Sequence, residues 1–248
     1  MSQDEVAGAP RKPVRAVLFD LDDTLFDHSH CAGAALAGVR RMHPSFIAVD
    51  ETEFERRHAE ILEVLHLDVL AGKIDLDAAR VERFRRLFRI AGHDADRELA
   101  SRTARAYRDG YIAARRAVAG AEALLRGIRA YAPVVVVSNN LLFEQQQKLR
   151  ECGLERYVDV LVVSEEVGVS KPHPRIFAVA LERAGCRPDE AVMVGDSWVN
   201  DIEGARRAGI RAIWFSRAGT APIDPSVEVL TSLEPTARAI ALILGRGQ

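Results

Sequence analysis

Cysteine, long apolar runs and an excess of charge of either sign are all scarce in this sequence, and each scarcity removes a class of protein. The three cysteines, Cys31, Cys152 and Cys186, are too few and too scattered for a disulfide framework or a CxxC zinc cluster. They read as small buried hydrophobes in a chain kept in a reducing cytosol, so the expected location is cytoplasmic. Lysine and arginine number 34 against 36 aspartates and glutamates, a net charge of −2, which argues against a basic surface for a nucleic-acid polymer. Met1 to Arg15 is polar and carries Pro10 and Pro13; it has no apolar stretch suited to a signal peptide or a membrane span, and residues 1–13 read as a flexible tail. Internal repeats, coiled-coil heptads and low-complexity tracts are also missing.

What is present describes an ordinary globular protein: 48% hydrophobic and 28% charged residues over 248 positions, enough for one sizeable core and a smaller partner. Arg15-Ala-Val-Leu-Phe-Asp20 is a short apolar run ending in an acid, the pattern of a buried parallel strand that delivers side chains at its C-terminal end. From about Ser29 to Ala117 the apolar residues fall at helical spacing instead. Phe54, His58, Ile61, Leu62, Leu65 and Val69 make one stripe, and Val81, Phe84, Leu87 and Phe88 another. After Gly120 helices and strands alternate. Strands are expected at Val134–Val137, Val158–Val163, Ala191–Val194 and Ala212–Phe215, and helices at Ala121–Ala130, Leu141–Cys152 and Pro174–Ala184, with a further helix ending near Gly209. Such alternation implies a parallel sheet covered on both faces.

Three of these strands end in chemistry: Asp20 and Asp22, then Ser138 and Asn139, then Asp196. Ligands of open parallel sheets bind beyond the carboxyl ends of the strands, so these groups can converge in one crevice. Phe19-Asp-Leu-Asp-Asp-Thr-Leu25 resembles the first signature of the haloacid dehalogenase-like hydrolases, Val137-Ser-Asn139 the second, Lys171-Pro172 the third and Gly195-Asp-Ser-Trp-Val-Asn-Asp201 the fourth. All four stand in order. The resemblance implies a Rossmann-like α/β core over 14–26 and 119–248, with an inserted helical cap over 27–118 that closes over a substrate.

Phosphate monoesters hydrolyse extremely slowly in water, so a site must neutralise charge, attack phosphorus and protonate the leaving group. A carboxylate nucleophile splits the reaction into two steps through an acyl phosphate, and the resemblance gives that role to Asp20. It makes Asp22 the acid that protonates the departing alkoxide and later the base for water. Ser138 and the amides near Asn139 hold phosphoryl oxygens, and Lys171 balances charge. The implied cofactor is Mg2+, held by Asp20, Asp196 and the main-chain carbonyl of Asp22. Thr24 supports the first motif, and Asp201 braces either the metal shell or Lys171. Asp22 also separates phosphatases from carbon–halogen-cleaving relatives, which need no acid there. The implied partner is a small phosphorylated metabolite; nucleotidases, phosphoglycolate phosphatases and acylneuraminate-phosphate phosphatases share the layout. The alternatives are a phosphosugar mutase of the same fold and a non-catalytic ligand-binding or regulatory protein.

Other residues draw blander expectations. His28 and His30 read as a polar pair at the hinge into the insertion, since no third ligand stands at metal spacing. Arg80, Arg83, Arg85, Arg86 and Arg89 read as a solvated helix face opposite the Val81, Phe84 and Phe88 stripe. Trp198 reads as packing against the helix that follows it or as part of a pocket rim.

Overall fold

The computed structural model describes residues 12–246, so most of the tail expected at 1–13 lies outside the described residues. Six strands, β1 (Ala16–Phe19), β2 (Val134–Ser138), β3 (Val160–Val163), β4 (Ala191–Gly195), β5 (Arg211–Phe215) and β6 (Glu228–Leu230), form one sheet in the order β3-β2-β1-β4-β5-β6. Every pairing is parallel. β1, β2 and β4 are buried along their whole length, as a parallel sheet covered on both faces requires. The chain leaves β1 to build one flank and returns beside it to build the other. Strand order therefore reverses at β1, the switch point where α/β sheets open a crevice.

The helices are α1 (His28–Met42), α2 (Pro44–Ile47), α3 (Glu51–Leu70), α4 (Leu76–Ile90), α5 (Arg97–Ala113), α6 (Ala121–Ile128), α7 (Leu142–Glu151), α8 (Ser164–Val167), α9 (Pro174–Ala184), α10 (Gly204–Arg207) and α11 (Thr236–Leu244). β6 and α11 were not foreseen in the sequence, and β3 starts two residues later than expected because a 3-10 turn occupies Glu155–Tyr157. Among the described residues no helix is long and apolar enough to cross a membrane.

Two compact units result. The described residues of the sheet unit are 12–25, 118–139 and 153–246, and those of the helical unit 26–117 and 140–152, so α7 belongs with α1–α5 although it follows a core strand in the chain. In the sheet unit the core includes Leu18, Val135, Met193, Ile176 and Phe177. In the helical unit Phe46 stacks on Phe88 at 4.3 Å and meets Phe54 at 4.8 Å. Asp50, Asp75 and Asp96 start α3, α4 and α5, each accepting a hydrogen bond from a first-turn N–H at 2.7–3.0 Å. Such caps satisfy donors that a helix end would otherwise leave orphaned.

The solvated face expected for the α4 arginines is overturned at two positions. Arg83 is 7% exposed and lies with Ala79 and Leu87 in one buried row. Arg80 is largely buried and bonds Glu144 of α7 at 2.8 Å. The physical reason is that α4 packs between α3 and α5, which covers a wider arc than its aromatic stripe alone requires. Arg85 and Arg86 do keep to the outer face, where both pair with Glu82.

Candidate active site

The β1 ladder sets the position of Asp20, whose N–H donates to the Val194 carbonyl at 2.9 Å and so extends the pairing with β4 by one residue. Its carboxylate is nearly buried and accepts a 2.6 Å hydrogen bond from Lys171 Nζ. The chain then turns sharply. Asp23 adopts φ 60°, a left-handed conformation that a short polar side chain tolerates better than most, and Leu25 N–H closes onto the Leu21 carbonyl at 2.9 Å. Asp22 is half-buried in this turn, and the Thr24 hydroxyl donates to Asp196 at 3.4 Å.

Lys171 is the electrostatic centre. Its ammonium also donates to Asp201 at 2.6 Å, while Asp201 also stands among the carboxylates grouped closely enough to share a metal ion. Burial works against the charged lysine, but Asp20 and Asp201 more than offset it and hold the ammonium above its ordinary value. The Asn139 side chain clamps the lysine's own peptide: Lys171 N–H donates to Oδ1 at 2.6 Å and Nδ2 donates to the Lys171 carbonyl at 2.9 Å. Its amide is therefore engaged in positioning Lys171, while Ser138 lies buried at the end of β2.

Asp201 reaches the lysine by folding back under the end of β4, where it also accepts from Ser197 N–H at 3.0 Å. A Cβ at Gly195 would stand 2.4 Å from its Cγ, so only glycine leaves this space. A π-helical turn, Trp198–Glu203, places Asp201, and a Cβ on Gly204 just beyond it would come within 3.0 Å of Phe177 and Pro172. Trp198 packs edge-on against Trp214 at 5.3 Å, in keeping with a packing role. The indole N–H of Trp214 donates to the Asp196 carbonyl at 2.8 Å, a support that no sequence pattern announced.

Asp20, Asp196 and Asp201 each bring a carboxylate oxygen within 4.8 Å of the others. One ammonium faces three carboxylates, an excess of negative charge where water is excluded. Burial raises Asp20 well above the usual carboxylate range, and Asp201 and Asp196 add to the rise against the pull of Lys171. Burial likewise lifts Asp196 to about 7, with Asp201 and Asp23 adding to it. A hard, oxygen-seeking divalent cation fits such a donor set, because it restores the ionised carboxylates that burial disfavours. His28 and His30 are in no metal-ligating group among the described residues; His28 instead meets the Tyr111 hydroxyl at 2.8 Å.

A haloacid dehalogenase-like hydrolase family model matches residues 14–209. The chain belongs to the haloacid dehalogenase-like hydrolases. It is 32% identical over 214 residues to the glyceraldehyde 3-phosphate phosphatase of Methanopyrus kandleri, covering 86% of this chain and 88% of that one. To the phosphoserine phosphatase of Thermus thermophilus it is 33% identical over 234 residues, covering 86% and 92%. A magnesium-bound crystal structure of the HAD-hydrolase YfnB from Bacillus subtilis matches with TM-score 0.74 at 25% identity, covering 92% of this chain and 99% of that one.

Proposed function

We infer that this chain is a Mg2+-dependent hydrolase of small phosphoric monoesters, acting through a phosphorylated Asp20. The observation that carries the reading is the buried triad Asp20–Lys171–Asp201 at the end of β1, with Asp196 beside it. Its relatives are named for phosphatase activity on small phosphorylated metabolites.

In the first step an Asp20 oxygen attacks phosphorus, the ester P–O bond breaks and Asp22 gives its proton to the departing oxygen. In the second, Asp22 takes a proton from water, which attacks the acyl phosphate and releases inorganic phosphate and free Asp20. Lys171 offsets charge on Asp20 and on the phosphoryl group in both steps. Asp201 holds the ammonium in place, and the Asn139 side chain fixes the lysine loop while the Ser138 hydroxyl and nearby amides bind phosphoryl oxygens. The carboxylates of Asp20 and Asp196 and the main-chain carbonyl of Asp22 would hold Mg2+, which supplies positive charge against the repulsion between carboxylate and phosphate.

Phosphate release tests this, using glyceraldehyde 3-phosphate, phosphoserine, sugar phosphates and nucleotides with Mg2+, beside a chelator control and Asp20→Asn. Release is expected from at least one ester, abolished by chelation and lowered by more than about 10^4-fold in the variant, the scale of losing a nucleophile. Isomerised sugar phosphate without free phosphate would point to a mutase instead.

A further inference from the structure

The helical unit contains its own cavity of about 120 Å³, room for several water molecules or a short organic group. Leu62, Leu65, Val69 and Leu76 give it an apolar side, while Arg80, Arg83, Arg108, Lys148 and Glu144 give it charge.

Most of this charge is already neutralised. Glu144 accepts from Arg108 at 2.9 and 3.0 Å and from Arg80 at 2.8 Å, and Arg80 also pairs with Asp77 at 2.8 Å. Arg83 differs. It is nine-tenths buried, its Nε has no hydrogen-bond partner, and among the described residues no carboxylate pairs with it. Its guanidinium stands 4.6 Å from the Tyr107 ring centroid and 5.3 Å from that of Phe84. Such faces attract a cation but satisfy few of its five N–H donors. Burial pulls the guanidinium below its ordinary value, and Arg80 and Arg108 contribute in the same direction. A fold rarely leaves a buried cation without an anion unless the anion arrives from outside.

We infer that the helical unit binds the carboxylate of a small organic acid in this cavity, with Arg83 as its counter-ion. A single carboxylate matches the charge of the one unpaired guanidinium. The occupant is a short organic acid held within the helical unit itself.

Isothermal titration of the full-length, Mg2+-loaded protein with butanoate and with butanamide decides the matter without turnover. Butanoate is expected to bind saturably and butanamide at least about tenfold more weakly, with Arg83→Gln losing about tenfold or more and Arg83→Lys recovering part. Equal binding of acid and amide, no binding of butanoate, or undiminished binding by a folded Arg83→Gln would overturn the proposal. If that variant does not fold, the acid–amide comparison on the unmodified protein still decides.

Discussion

Lys171 in the sheet unit and Arg83 in the helical unit are both cations removed from water, yet their surroundings are opposite. Lys171 donates to two carboxylates and lies in a cluster with surplus negative charge. Arg83 touches two aromatic faces, with no anion among the described residues, in a unit whose other cavity-lining arginines share Glu144. The cluster around Lys171 thus lacks positive charge, and the immediate surroundings of Arg83 lack negative charge. The first deficit suits a divalent cation with a phosphoryl group; the second suits a carboxylate.

The comparison breaks most severely at Lys171. Replacing it with methionine leaves Asp20 and Asp201 buried without their shared counter-ion, an expected loss of about 3–5 kcal/mol in urea unfolding along with phosphate release. A variant of unchanged stability would show that the triad is not the electrostatic centre described above. Glu144→Gln sharpens the other side. Arg108 loses its charged acceptor while Arg80 keeps Asp77, so a loss of about 2 kcal/mol is expected. Butanoate should bind this variant more tightly, because the cavity becomes more positive; weaker binding would place the acid elsewhere.

The smallest effect concerns His58, buried beside Arg83. Burial, then Arg83 and His28, hold its folded-state pKa well below the ordinary histidine value of about 6.5. Between those two values the unfolded chain takes up a proton that the folded chain refuses. Stability from this group is therefore complete above pH 6.5 and falls as the pH drops toward the folded value, by about 1.4 kcal/mol per pH unit. Urea midpoints at pH 7 and pH 5.5 measure the slope, which His58→Leu should flatten.

Much of the sheet unit was legible before folding. Short β-branched runs such as Val134–Val137 can satisfy the burial of a parallel sheet, and β1, β2 and β4 each end in or lead directly into a candidate site residue. The end of the fourth motif was less legible, since Asp201 and the lysine it braces are 30 residues apart and Gly195 matters only through the space it leaves. Arg83 was misread because the aromatic stripe of α4 was taken as the whole buried face. Its spacing of four from Ala79 and from Leu87 was the available signal that it shared their row.

Residue type and local pattern were sufficient to determine the family, the order of the motifs, the parallel core, the helical insertion and the identity of the nucleophile candidate. Those properties depend on neighbours along the chain. Which cation would find an anion was decided only in three dimensions: Lys171 meets Asp20 across 151 positions and Glu144 meets Arg80 across 64. Charge pairing depends on distance and on the exclusion of water, and packing sets both.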